Sequence, residues 1–466
     1  MSVRPAGPRA HPYIPNSAPP ALAQMLAAIG VESVETLYAS VPEALRLRGP
    51  LDLPPAITDE VALRRHVGGL LDRNTHTGEV LSFLGGGSSS GHVPAVVDEI
   101  VNRAEFVTSY GGGPYADLGK YQAIFEFQSL LGELLGMDVV SAPMYDGITA
   151  TSSALLMAAR LTGRRRVLVP ETVNPALREH LRTFARRASA ETIPPDPATG
   201  MVDLAALRAR LAPDVAAVLV EQPSYLGFVE ERAGEIADIT HGAGALLVAA
   251  VDPSTLGVLD APARYGVDIA AGDAQSLGVH PLYGGGQVGF LAHRDDPDYV
   301  RENPSILISA VPTRDGAGTG FAWSLLSSTS YDLRGDAQDY TGTSQWLWGI
   351  AVAVHLSLLG PAGIRELGEG NAARAAYLRR RLAAVPGLRV PVVGQAHVRE
   401  ITVGFDGTGH SVAEVNSALL ERGIFGGRDL SWDFPSLGQA ALYAVNDTLG
   451  QAQIDRLAGS LTEILA

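Results

Sequence analysis

The chain has 466 residues, 46% of them hydrophobic and 18% charged, with a formal net charge of −15 and no cysteine. That length exceeds one hydrophobic core, so two domains plus an extension are expected. The acidic balance argues against binding nucleic acid, and the lack of cysteine excludes disulfides, thiolate metal sites and cysteine nucleophiles. The first twenty residues hold no apolar signal core, and no run of about 18 uninterrupted apolar residues occurs. A cytoplasmic protein with no membrane span is therefore expected.

Residues 11–25 read as an arm, and apolar spacing predicts short helices from Ala27 to Ala39 and from Val41 to Arg48. Pro54–Pro55 marks a turn, and Thr58 is the expected N-cap of a helix from Asp59. LGGGSSSGH (84–92) reads as a loop, and PAVVDEIVNRAEF (94–106) as a helix with Pro94 at its start. KYQAIFEFQSLLGELLG (120–136) is a helix closed by Gly136. MDVVSAPMYDG (137–147) is a strand entering a loop, followed by a small-residue helix over 148–161. Short apolar runs at 165–170, 215–223, 244–252 and 268–275, separated by helical segments, predict parallel βαβ units. GGGQVGFLAHR (284–294) adds a hairpin or strand. Helices over 345–360 and 363–385 come next. Then LRVPVV, EITVGF and AALYAV read as strands beside a helix at 411–422. The expected division is an N-terminal arm and helices over 1–65, a large α/β domain over 66–325 and a small α+β domain over 326–466.

An arm, a large parallel or mixed sheet of about seven strands and a small α+β domain outline a fold-type-I pyridoxal-phosphate protein. Such a protein needs a phosphate-holding turn at a helix N-terminus, an aspartate for the pyridine nitrogen and a lysine for the Schiff base. YDGITATSS (145–153) supplies the turn, with Thr149 among its backbone donors, and Asp252 ends an apolar strand. The third requirement fails. Where the lysine belongs the chain reads DAQSLGVHP, and Lys120 is the only lysine in the sequence. A lone lysine is expected to be a solvated surface group. The eleven histidines have no metal-ligand spacing, so no metal site is expected.

EFVTSY, QAIFEFQSLLGELLGMDV and MYDG, between residues 105 and 147, resemble the α half (subunit 1) of the two-chain glycine decarboxylase, the P-protein of the glycine cleavage system. HPYIPNSAPP, LDLPPAITD, GVDIAAGDAQSLG and AVHLSLLGPAG agree in the same order, so the similarity spans nearly the whole chain. The resemblance implies that the missing lysine is a family trait, with Ser276 standing about where it would be. It implies a PLP-bearing β-type partner, decarboxylation of glycine or a related amino acid, and transfer of the aminomethyl unit to a lipoyl carrier. This would be an oxidoreductase-type activity of a heteromer. Against the family pattern, loops at 85–92, 111–119, 311–318 and 328–345 are rewritten. Polar loops carry function, so a repurposed subunit of specialised metabolism with another amino-acid substrate, or a non-catalytic scaffold subunit, are the alternatives. Tyr110, Tyr145 and Asp146 are the candidate catalytic residues. Asp252, Gln275, Ser276 and Thr149 are the candidate cofactor-contacting ones.

Overall fold

The computed structural model describes residues 10, 13–47, 49, 51–107, 118–184, 188–324 and 345–466. Tyr110 and nearly all of the segments 111–119 and 328–345 lie outside these residues. The chain forms two compact units, Met1–Asn74 and Thr75–Ala466.

Among its described residues the first unit carries two α-helices, α1 (Pro19–Ile29) and α2 (Glu60–Leu71). The N-cap of α2 is Asp59, one residue later than the sequence suggests, because its carboxylate accepts from the Ala62 amide at 2.7 Å. Neither helix contains a buried residue.

The second unit is built on a seven-stranded sheet. Its strands are β1 (Val139–Val140), β2 (Arg166–Pro170), β3 (Ser189–Ile193), β4 (Val215–Gln222), β5 (Leu246–Val251), β6 (Ile269–Asp273) and β7 (Gly289–His293), in the spatial order β1-β7-β6-β5-β4-β2-β3. All neighbours are parallel except that β7 runs antiparallel to β1 and β6. Both faces are covered, which is why the strands read as continuous apolar runs rather than alternating ones. Leu219, Val248, Ile269 and Leu291 pack on one face with α5 (Gly147–Thr162). Val218, Leu247, Ala249 and Ala270 pack on the other with α3 (Ala95–Val101), α4 (Leu118–Leu135) and α10 (Trp346–Ala383). Helices α6 (Pro175–Phe184), α7 (Leu204–Arg210) and α8 (Ala233–Gly242) connect strands of the sheet, and α9 (Pro297–Glu302) follows β7. Helix α5 buries ten consecutive residues, Ala150 to Ala159, and this explains its small-residue composition. Seven of these ten are Ala, Ser or Thr, so the helix lies close against the sheet on one side and against neighbouring helices on others.

Helix α10 is long and apolar enough to cross a membrane by length and composition, yet 44% of its apolar window is buried, and it packs against α3 and α4. It is the core helix of the unit. The two helices expected over 345–360 and 363–385 are present as its two halves, separated at Gly360, whose φ of 57° lies in the left-handed region, just before Pro361.

Beyond it, β10 (Glu400–Gly404), β11 (Arg428–Asp429) and β12 (Ala440–Ala444) form an antiparallel three-stranded sheet in the order β10-β12-β11. It packs on helices α11 (Val412–Glu421) and α12 (Gln451–Ile464) around Ile401, Val403, Leu419 and Leu457. The predicted strand LRVPVV is absent. Arg389 bridges to Gly404 and Val392 N donates to the Thr402 carbonyl at 2.9 Å, but Pro391 between them has no N–H to continue a ladder. The rewritten segment 311–318 connects β8 (Ile308–Pro312) to β9 (Thr319–Trp323), an antiparallel hairpin.

Candidate functional site

A cavity of about 480 Å³ opens at the carboxyl ends of β4, β5 and β6, where ligands of open α/β sheets bind. The glycine loop 86–89, the start of α5 and the small sheet's Arg399, Glu400 and Arg428 complete its wall. All of these residues belong to the second unit.

Three parallel strands carry an acid at or beside their carboxyl ends. Asp252 follows β5. Its Oδ1 accepts from the Ser254 amide at 3.0 Å, the Ser254 hydroxyl at 2.7 Å and the Ser276 hydroxyl at 3.1 Å. Its Oδ2 accepts from Arg399 Nη1 at 2.5 Å, and the same nitrogen donates to Ser254 Oγ at 3.0 Å. Burial opposes the Arg399 charge, but Asp252 and Glu400 outweigh it and hold the guanidinium above its ordinary pKa.

Asp273 ends β6. One oxygen accepts from the Gln275 and Val288 amides, both at 2.9 Å, and the other from Gly147 N at 2.9 Å. Burial pushes its carboxyl up to about 6 despite those bonds. Glu221, near the end of β4, accepts from the Tyr225 amide at 2.8 Å and the Asn174 amide at 3.2 Å. Burial, with Glu400 adding to it, pushes Glu221 up to about 7. Glu400 accepts from the Gly86 amide at 2.7 Å and is likewise raised by burial.

The N-terminus of α5 is already filled. Asp146 caps it, accepting from Thr149 N at 2.7 Å and Thr149 Oγ1 at 3.1 Å, while Asp273 takes the Gly147 amide. Only glycine fits at 147, since a Cβ there would lie 2.9 Å from the Asp273 Cβ and 3.0 Å from its nitrogen.

These residues do not fit a pyridoxal phosphate. A phosphate approaching the first turn of α5 would meet two carboxylates instead of free amides. The aspartate placed for a pyridine nitrogen is engaged by Arg399, Ser254 and Ser276, and no lysine lines the cavity. Lys120 lies in α4, only 6% exposed, so it is not the surface group expected of a lone lysine.

The family model of the glycine cleavage system P-protein matches residues 11–416. The chain belongs to that family. Probable glycine dehydrogenase (decarboxylating) subunit 1 of Desulfitobacterium hafniense is 36% identical over 97% of this chain and 99% of that protein. The protein of the same name from Pyrococcus horikoshii is also 36% identical, with the same coverage of each chain. A crystal structure of glycine decarboxylase (P-protein) of the glycine cleavage system, in inhibitor-bound form, superposes with a TM-score of 0.86 at 33% identity, covering all of both chains. The sphingosine-1-phosphate lyase of Burkholderia pseudomallei shares the fold alone, at 18% identity and a TM-score of 0.66 over 91% of this chain and 94% of that one. The family and the fold class read from the sequence are thereby borne out, and the chain is an α-type P-protein subunit.

Of the sequence candidates, Asp146, Asp252, Gln275 and Ser276 line the P-protein cavity together. Gln275 acts as a strap. Buried at 2% exposure, it donates to the Ser89 and Val279 carbonyls and accepts from the Ser89 amide, which fixes the glycine loop. Thr149 sits in the capping pair, outside the lining, and Tyr145 is 40% exposed and also outside it. Tyr110 lies outside the described residues. Sequence reasoning missed Glu221, Tyr225, Asp273, Arg399, Glu400 and Arg428. For Glu221 and Asp273 a signal existed: each is a lone acid at the carboxyl end of an apolar parallel strand. The other four depend on pairing across the fold and leave no local mark.

Proposed function

We propose that this chain is the cofactor-free subunit 1 of a split glycine decarboxylase. With a pyridoxal-phosphate-bearing subunit 2 it decarboxylates glycine in the cytoplasm, and the aminomethyl unit passes to a lipoyl carrier. The observation that carries this is the pairing of near full-length similarity to subunit 1 proteins with a cofactor position closed by the Asp252–Arg399 ion pair. A partner chain is further supported by the first unit. Leu22, Met25, Val61, Val67, Leu70 and Leu71 are exposed there, an amount of apolar surface that calls for cover.

In this reading the cofactor supplies the electron sink from the partner. This chain's residues hold their own pocket shut to phosphate and keep the α5 terminus capped. The test is reconstitution with a subunit 2 chain that carries the lysine. Labelled carbon dioxide should appear from glycine only when both chains and a lipoylated carrier are present. Turnover by this chain alone with pyridoxal phosphate would overturn the proposal.

A second reading, another amino acid as substrate of the same heteromer, is favoured by one observation. The rewritten loop 85–92 supplies Gly86, Gly87, Ser88 and Ser89 to the cavity wall. Competition by other amino acids in the reconstituted assay separates the two.

A further inference from the structure

The first unit is helical without a core. Among its described residues none is buried, and most of the large apolar side chains exposed among the described residues of the chain lie there. Helix α1 presents Leu22, Met25 and Ile29 at spacings of three and four, which puts them on one face, and they are 36%, 42% and 57% exposed. Helix α2 does the same with Leu63, Val67, Leu70 and Leu71. Between the helices, Leu45 and Leu53 are 77% and 69% exposed. Apolar stripes that face water on both helices of a unit mark an interaction surface.

The helices also lack what keeps helices formed. They are 11 and 12 residues long, and isolated helices shorter than about 12–15 residues are marginal in water. Burial of an apolar face normally supplies the missing stability, and here nothing is buried. Local devices are few. Asp59 caps α2, Gly30 closes α1, and the Glu60–Arg64 pair is solvent-exposed and contributes little. Adjacent Gly68 and Gly69 lower the helix propensity of α2 further. The helical form is therefore that of a covered unit.

Charge and similarity select what covers it. Residues 1–74 hold seven arginines against seven acids, so the net charge of −15 lies wholly on residues 75–466. A second copy of the chain would set two such acidic bodies against each other, with no basic segment to offset the repulsion. The family match begins at residue 11, and similarity to subunit 1 proteins covers 97% of the chain. The segment is thus shared with chains named for having a second subunit. We infer that the first unit folds on the surface of subunit 2, its two helices becoming stable only when that chain covers their apolar faces. This coupling rests on the subunit 2 proposed above, and it makes folding of the segment and assembly of the heteromer one step.

Hydrogen exchange of the full chain, read by mass spectrometry with and without subunit 2, tests the coupling. Alone, the amides of α1 and α2 should exchange within about tenfold of the unstructured rate, and in the mixture about a hundredfold slower, with β4 and β5 unchanged. Leu22→Asp with Met25→Asp should abolish that protection. Gly69→Ala strengthens α2 on the face opposite Val67, where a Cβ meets nothing within 4 Å, and should tighten binding of subunit 2 about three- to fivefold. The coupling is overturned if the helices are already protected in the chain alone, if subunit 2 leaves them unprotected, or if Gly69→Ala leaves the affinity unchanged. Protection that grows with the chain's own concentration would put a second copy in that place and overturn it as well. Exchange does not depend on turnover. Protection without release of labelled carbon dioxide would sink the proposed activity alone, and turnover with unprotected helices would sink the coupling alone.

Discussion

The ion pair between Asp252 and Arg399 sets the state of the whole cavity, and its strength can be measured. Arg399 is 11% exposed and Asp252 33%, with the charged atoms 2.5 Å apart. Taking the charge centres as about 4 Å apart and an effective dielectric near 20, the attraction is about 4 kcal/mol. Truncating one member of a buried pair costs about 3–5 kcal/mol, since it strands the other charge. Here the loss is smaller for Asp252, because three bonds to Ser254 and Ser276 remain and a third of the side chain meets solvent. Arg399→Leu should therefore lose about 2–3 kcal/mol. Asp252→Asn keeps the acceptor oxygen for Ser254 and Ser276 but strands the guanidinium beside Glu400, with a similar loss. The double variant should cost clearly less than the sum, with a coupling of about 2 kcal/mol. Urea unfolding of the full chain reads all three. Effects that add to within about 0.5 kcal/mol, as independent sites do, would refute the ion pair as the element that closes the site.

Further outcomes follow from other contacts. Ser276→Lys should not confer pyridoxal-phosphate binding, checked by visible absorbance of the purified chain, because the α5 terminus stays capped by Asp146 and Asp273. Gly147→Ala should destabilise by about 1–3 kcal/mol in urea, the usual scale of overpacking, given the 2.9 Å approach to Asp273. Val67→Asp with Leu71→Asp, on the exposed face of α2, should leave unfolding of the chain alone nearly unchanged and abolish co-purification with subunit 2. Stability should also fall as pH rises through the range set by Glu221. Its folded value, about 7, lies above the ordinary 4.5, so its contribution is complete below pH 4.5 and lost by pH 7. That is about 3 kcal/mol, and Glu221→Gln should flatten the profile by that amount. His293 works in the opposite sense. Burial lowers it from 6.5 to about 4, so its contribution is present above 6.5 and lost as pH falls through 4.

The scaffold was legible because periodicity reports burial. Runs such as VAAVLVEQ, buried almost throughout, read as interior parallel strands, and the small residues of 148–161 read as a helix, which the structure buries over Ala150 to Ala159. Asp252 was legible as a strand-end acid, and Ser276 because a lysine was expected there. What stayed hidden was the compensation. Arg399 lies 147 residues from Asp252 and Glu400 lies 314 from Gly86, and no local pattern encodes such a pairing. Lys120 was misjudged for a related reason. It stands in the first turns of a helix that packs inward, and its burial is decided by tertiary contacts rather than by its type. LRVPVV passed as a strand on composition, although its proline removes a donor that a ladder needs.

The buried acids of the cavity set how the fold responds to pH. Ionising Glu221 at neutral pH works against burial by about 3 kcal/mol, and moving Asp273 from 3.8 to about 6 is a cost of similar size. Hydrogen bonds from backbone amides hold these carboxylates in place without supplying positive charge. Both groups therefore favour the folded state when protonated, and their contribution is lost as pH rises through their folded values. A melting curve of the full chain should shift to lower temperature between pH 5 and pH 8, and Glu221→Gln should remove part of that shift. A melting temperature equal at the two pH values, with Glu221→Gln also without effect, would refute burial as the cause.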